Sequence, residues 1–387
     1  MPSPLGLSVR TKDLHASPIR EILSVLEKPG MISFAGGLPS ASTFPALDNL
    51  MTPAEILQYG PTEGDMALRQ AIAAELQQSG LGCQPEQILI LSGSQQGIDL
   101  VAKLFVDAGT SVAVEAPTYL AALQVFRLFG AHFLPFNMQG NANLSWNHDR
   151  PALAYAIPTF QNPTGHCYNL AQRQQLAAAC DQNQVPLFED DPYRDLAYEP
   201  AVRTPVCALL KSAPWIYQGS FSKTLAPGLR LGFMAASPQL MPYLTRLKQA
   251  ADLHSNRLSQ WLVLQHLRHP EKAVRMNALV NHYRQKRDQF AECLKQYFSD
   301  IGAWEIPQGG LFFWLKLNDR IDTRTLLSIA IEQGIAFMPG EHFYPDSRDG
   351  IGTMRLNFSH ASEEELCRGL ENLSYLIKTY LQHSNNA

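Results

Sequence analysis

Four short segments place reactive or ligand-binding side chains directly after apolar runs. In GSFSKTLAPGLRLG, residues 219–232, Lys223 is flanked by the hydroxyls of Ser220, Ser222 and Thr224, and Arg230 follows seven residues later. Lysine is rarely buried without a reason, and a desolvated lysine beside another cation has a lowered pKa and acts as an amine nucleophile. In LFEDDPYRD, Glu189, Asp190 and Asp191 end an apolar run and precede Pro192 and Tyr193. Buried acids are costly unless a positive group offsets them; the alternative is a solvated loop. PTFQNPTG, residues 158–165, displays Asn162 at the tip of a tight turn, although most Asn-Pro dipeptides are only turns. LSGSQQG puts Ser94 and Gln95 at the start of a helix, where backbone N–H groups can take an anion but where small polar residues are more often plain caps.

Singly, each segment is ambiguous. Together they match what pyridoxal 5'-phosphate needs: an amine for a Schiff base, a cradle for the phosphate, and a carboxylate beside the pyridine nitrogen that makes the ring an electron sink.

The elements that must position these residues are legible in outline. From about residue 63, short apolar runs (ILILS, SVAVE, HFLPF, LAYAIPTF, VPLFED, WIYQGSF) alternate with helical patterns such as MALRQAIAAELQQSG, SQQGIDLVAKLFVDAG and LAQRQQLAAACDQNQ. This alternation predicts an α/β fold with a mostly parallel central sheet flanked by helices. Ligand sites in such sheets lie at the carboxyl ends of the strands, where all four segments fall. Two long helical segments are predicted between about 238 and 300, followed by a smaller α+β part containing GLFFWLKL and TMRLNFS. The 387 residues suffice for a sizeable core, and 45% hydrophobic with 17% charged residues is ordinary for a globular protein. A net charge of −4 without a basic run argues against nucleic acid. The six cysteines form no CxxC pair and read as reduced thiols, without a metal site. The absence of a signal-like or membrane-length apolar stretch predicts a cytoplasmic protein.

The order SGSQQG, PTFQNPTG, EDDPY, SFSKTLAPGLRLG and MRLNFS resembles the class I/II aminotransferases of pyridoxal-phosphate fold type I. The segments SPIREIL, SFAGGLPSASTFP and LQYGPTEG resemble the 2-aminoadipate/kynurenine aminotransferase branch. The resemblance implies an N-terminal segment, 1–45, joining a small domain, a large cofactor-binding domain over 46–275, and a small C-terminal domain over 276–387. It makes Lys223 the Schiff-base lysine and proton shuttle. Asp190, three residues before Tyr193, is the partner of the pyridine nitrogen, with Asp191 pointing to the other face of the strand. Asn162 and Tyr193 bond the ring hydroxyl oxygen, and Tyr119 stacks on the ring. Ser94, Gln95, Ser220, Ser222 and Arg230 hold the phosphate, joined by Tyr59 from the neighbouring subunit of a homodimer. Arg355 grips the substrate α-carboxylate in a bidentate pair, and Gly36 and Gly37 let backbone approach the ligand.

The expected reaction is ping-pong transfer of an amino group between an amino acid and a 2-oxo acid such as 2-oxoglutarate. Arg20 either meets a distal substrate carboxylate or is a surface arginine, and specificity is expected to be broad, taking in 2-aminoadipate, aromatic and branched substrates. A C–S β-lyase on the same fold is the alternative. A ligand-sensing regulator is less favoured, since only about 16 residues precede the resembling part and they are not basic enough for a DNA arm.

Overall fold

The runs ILIL, SVAVE, LAYA and LFED are buried along almost their whole length, as strands covered on both faces must be. A computed structural model of the chain describes residues 30–44, 53–139 and 149–384, with Ser8, Arg10, Leu144 and Trp146. The first half holds β1 (Ile32–Ser33), α1 (Met66–Gln78), β2 (Ile88–Leu91), α2 (Ser94–Phe105), β3 (Ser111–Glu115), α3 (Leu120–Leu128), β4 (His132–Phe136), β5 (Leu153–Ala156), α4 (Leu170–Asn183) and β6 (Leu187–Asp190). The second holds β7 (Trp215–Ser220), β8 (Gly232–Ala236), α5 (Met241–Asp252), α6 (Arg257–Arg268), α7 (Lys272–Phe298), β9 (Gly302–Ala303), β10 (Phe312–Leu317), α8 (Thr323–Glu332), β11 (Ile335–Ala336), β12 (Met338–Pro339), β13 (Thr353–Asn357) and α9 (Glu363–Ser384).

The fold is α/β. Seven strands form the central sheet in the order β2-β8-β7-β6-β5-β3-β4. β8 alone runs against the direction of the other six strands. This strand is the apolar stretch after Arg230, which the sequence pattern leaves unassigned. A second sheet, β12-β13-β10-β9, is antiparallel, and β1 pairs in parallel with β11. The N-terminal strand is thereby tied to the C-terminal part of the chain. We propose the division into large and small domains on this basis; α7 runs unbroken through the boundary expected at 275/276.

Local signals explain the helix ends. Asn169 caps α4 in a reciprocal box: its side chain accepts from the Gln172 amide at 2.9 Å, and its own amide donates to Gln172 Oε1 at 2.8 Å. Three sequence expectations are corrected. The helical pattern SQQGIDLVAKLFVDAG, read from the sequence as a helix closed by Gly109, forms a helix only as far as Phe105, because Val106 already turns to extended backbone. The region 238–300 holds three helices rather than two, with breaks after Asp252 and Arg268. Cys293 on α7 and Cys367 on α9 are joined in a disulfide, with Cα atoms 5.5 Å apart, so these two do not read as reduced thiols. Their separation of 74 residues hides the pairing until the helices pack. Among the described residues no helix is long and apolar enough to cross a membrane.

Candidate active site

The strand ends β5, β6 and β7, the start of α2 and the second sheet enclose one cavity of about 380 Å³, within the range of small-ligand sites. Lys223 enters it from the turn after β7. Its Nζ donates to the Gly37 carbonyl at 2.7 Å. Burial, reinforced by the charges of Arg355 and Arg230, lowers its ammonium to about 8, so a substantial neutral fraction exists near neutrality. Gly37 packs closely on the wall: a Cβ there would stand 3.0 Å from Phe312 Cζ and 4.0 Å from Lys223 Nζ.

Anion-binding groups gather at one end. Ser94 opens α2, and Gln95, Ser220, Ser222 and Arg230 line the same end of the cavity. Arg230 approaches Gly93 so closely that a Cβ there would lie 2.6 Å from its Nη2, and Gly93 has φ +83°. That glycine thus serves both the turn and the close approach.

Asp190 lines the same cavity from the tip of β6. Tyr155 Oη donates to its Oδ2 at 2.8 Å and Gln218 Nε2 to its Oδ1 at 3.0 Å. Burial raises its pKa to about 6, with those two donors opposing the rise. Asp191 turns the other way: it accepts from Tyr217 Oη at 2.9 Å and pairs with Arg194 at 3.5 Å. The alternation of strand side chains decides which acid faces the cavity.

Arg355 reaches in from β13. Its Nη1 donates to Asn162 Oδ1 at 2.8 Å and its Nη2 to the Ala35 carbonyl at 2.6 Å, while Nε has no partner among the described residues. The guanidinium lies 4.1 Å from the Phe312 ring centre and is 2% exposed. Burial lowers its pKa to about 10. A buried guanidinium with an orphaned N–H and no carboxylate is incomplete without an anion. Tyr119, whose hydroxyl faces Gln95 Oε1 at 3.4 Å, and Tyr193, edge-on to Phe312 at 5.6 Å, complete the walls.

The family model for aminotransferase class I and II matches residues 38–373. The chain is 36% identical to the 2-aminoadipate transaminase of Thermus thermophilus, covering 95% of each chain. It is 35% identical to aromatic-amino-acid aminotransferase 1 of Thermococcus litoralis, covering 96% of this chain and 94% of that one. A crystal structure of the kynurenine aminotransferase of Pyrococcus horikoshii in complex with PMP superposes with a TM-score of 0.90 at 34% identity, covering 97% of both chains. The chain belongs to the class I and II aminotransferases. It is a fold type I aminotransferase that uses pyridoxal phosphate to move amino groups between amino acids and 2-oxo acids.

The cavity of this aminotransferase fits the cofactor. It offers an amine in its wall, a group of anion-binding side chains, a carboxylate and an arginine with an unmet N–H. It gathers Ser94, Gln95, Tyr119, Asn162, Asp190, Tyr193, Ser220, Ser222, Lys223, Arg230, Arg355, Gly36 and Gly37. Tyr59 is elsewhere: it is 77% exposed and edge-on to His254 at 5.7 Å. Arg20 and the SPIREIL segment lie outside the described residues. Sequence reasoning missed Tyr155, Gln218, Ile157 and Phe312. Gln218 carried a signal, since a glutamine inside the apolar run WIYQGS asks for a buried partner.

Proposed function

We propose that Lys223 is the catalytic amine and Asp190 the partner of the cofactor's ring nitrogen, in an enzyme that accepts 2-aminoadipate together with aromatic and branched amino acids. The observation that carries this reading is the placement of Lys223, Asp190 and the incompletely bonded Arg355 around one cavity. When bound, pyridoxal phosphate supplies a carbonyl that condenses with amines and a ring that takes up the electron pair of the substrate α-carbon.

The chain's own residues supply the rest. Ser94, Gln95, Ser220, Ser222 and Arg230 hold the phosphate, and Asn162 and Tyr193 hold the ring oxygen. Asp190 keeps the ring nitrogen protonated, and Tyr119 packs on the ring face. Arg355 takes the α-carboxylate in the fork geometry that guanidinium suits. Gly36 and Gly37 give the substrate backbone room. Lys223, with an amine lowered to about 8, carries the proton from the α-carbon.

Broad specificity is supported by the wall. The cations lining the cavity among the described residues are Lys223, Arg230 and Arg355, each assigned to the cofactor or the α-carboxylate, and Leu38 and Ile157 are apolar neighbours. The resemblance makes Arg20, which lies outside the described residues, the residue proposed to meet a distal carboxylate, the alternative being a surface arginine. The names of the relatives, a 2-aminoadipate transaminase and an aromatic-amino-acid aminotransferase, support the same substrate range, and C–S cleavage is not favoured. The active unit is a homodimer in which Tyr59 reaches the partner's phosphate. Exposed Leu57, Leu253 and Leu258 on neighbouring segments make this face apolar enough to be covered.

Replacing Lys223 by alanine should abolish amino transfer to 2-oxoglutarate and the visible absorption of the bound cofactor; near-normal turnover overturns the assignment. An amino-donor panel then tests the range. Arg20→Ala should raise KM for 2-aminoadipate more than for leucine or phenylalanine, and equal effects would remove Arg20 from the site.

A further inference from the structure

The carboxylate of Asp190 is gripped from both neighbouring strands. Tyr155 pairs with Phe188 in the register of β5 and β6, and Asp190 pairs with Gln218 in that of β6 and β7. Two-residue periodicity therefore puts Tyr155, Asp190 and Gln218 on one face of the sheet. Each carboxylate oxygen takes one protein donor: Tyr155 Oη at 2.8 Å and Gln218 Nε2 at 3.0 Å. Two donors on two oxygens fix the plane of the group, yet an ionised carboxylate offers roughly four acceptor positions, so room remains for a ring N–H. Tyr155 and Gln218 are fully buried. The Tyr155 ring is wedged between Phe126 and Phe188, at 5.8 and 5.3 Å, and its hydroxyl is committed to Asp190.

We infer that Tyr155 and Gln218 are positioning residues that keep Asp190 ionised and aimed at the cofactor's ring nitrogen, an inference that rests on the assignment of Asp190 made above. The groups around Asp190 are Tyr155 from β5, Gln218 from β7, the phenols of Tyr119 and Tyr193, and Asp191 on its own chain. None is a cation. Burial pushes the acid up, Asp191 adds to that push, and Gln218 and Tyr155 oppose it. Loss of one donor hands the balance to burial, and the group takes up a proton at higher pH. A neutral acid cannot anchor a protonated pyridine as an anion does.

Gly97 extends the argument to α2. A Cβ there would fall 1.8 Å from Gln218 Oε1 and 2.9 Å from Leu91 Cδ1. The glycine lets α2 pack directly on Gln218. The same helix begins with Ser94 and Gln95 at the phosphate end. One helix thus sets the distance between the anion cradle and the nitrogen anchor.

The test is Tyr155→Phe, which deletes one hydroxyl, set beside Tyr217→Phe, which deletes the matching hydroxyl from Asp191. In apo-enzyme carrying ¹³C-carboxyl aspartate, with the Asp190 signal assigned from its loss in Asp190→Asn, the Asp190 midpoint should rise by about one pH unit in Tyr155→Phe. In enzyme loaded with ¹⁵N-pyridine-labelled cofactor, the ring resonance should move toward the unprotonated position. Tyr217→Phe should move neither signal. If Tyr155→Phe fails to fold, Gln218→Met, close in shape and lacking the amide, replaces it with the same expectation. Tyr155→Phe or Gln218→Met titrating like wild type in both measurements overturns the inference. If Asp190→Asn itself leaves the ¹⁵N resonance unmoved, the assignment of Asp190 fails instead, and the two failures are told apart.

Discussion

The end of β6 shows two ways of burying an acid, one on each face of the same sheet. On one face, Glu189 accepts from the Cys207 amide at 2.9 Å with the Arg173 guanidinium 4.0 Å away, and Asp191 is bonded by Tyr217 and paired with Arg194. On the other, Asp190 has only the neutral donors Tyr155 and Gln218. Burial raises all three acids; what differs is the opposition. Cations of the chain oppose it at Glu189 and Asp191, and none among the described residues does at Asp190. The same asymmetry holds for the arginines. Arg173 is saturated by the carbonyls of Tyr168, Thr204 and Pro158 and by Thr159, whereas Arg355 keeps an orphaned Nε. Charges completed by an opposite charge of the chain hold the fold together, even though Glu189 Oε1 and Asp191 Oδ1 lack a hydrogen-bond partner among the described residues. Asp190 and Arg355, which have no opposite charge of the described chain against them, face the cavity.

The sharpest way to break this comparison is to neutralise adjacent acids. Asp190→Asn should lower kcat/KM by about a thousandfold, the scale of losing a preorganised charge beside the reacting system, while apo-enzyme stability holds or rises. Asp191→Asn should do the reverse, keeping activity within a few-fold and costing about 2 kcal/mol because Arg194 loses its partner. Steady-state kinetics with urea unfolding of the apo forms separates the two; equal losses on both axes would erase the distinction between the faces.

The arginines allow a weaker version of the same test. Arg355→Lys keeps the charge but not the fork, and should lower kcat/KM for amino acids by about a hundredfold, mostly through KM. Arg173→Lys should shift the urea midpoint and leave KM in place. A raised KM in the Arg173 variant would show that its network reaches the substrate.

How much of this was legible beforehand follows from range. Strands and helices came from local periodicity, and the end of the helical pattern MALRQAIAAELQQSG at Gly80, with φ of +94°, came from a single residue that tolerates left-handed backbone. The reactive lysine and the acid came from their places at the ends of apolar runs, and the arginines from the motif order that carries the resemblance. β8 was missed because its apolar run follows an irregular turn through Arg230 rather than a helix, so nothing in the pattern announced an antiparallel strand. The Cys293–Cys367 bond and the Tyr155–Asp190–Gln218 grip were missed for one reason. Each joins residues that become neighbours only through packing or strand register, and a linear pattern carries neither.

The smallest effect is also the one whose sign is most diagnostic. In the folded apo-enzyme the Lys223 ammonium is lowered from 10.5 to about 8 by burial and by Arg355 and Arg230. Between those two pH values the unfolded chain binds the extra proton and the folded chain does not, so stability should rise with pH across that window. Below about pH 8 the full penalty applies, and above about 10.5 none remains. Lys223→Met removes the ammonium while filling much of its volume. The apo variant should therefore be more stable than wild type at pH 7 by about 2 kcal/mol, less than the roughly 3 kcal/mol the shift alone implies, because the bond to the Gly37 carbonyl at 2.7 Å is lost as well. By pH 10 most of that advantage should be gone. Urea unfolding of both apo forms at the two pH values measures it. An advantage independent of pH would mean that better packing, and not relief of an uncompensated charge, accounts for the gain, and Lys223 would then belong with the completed charges of the opposite face.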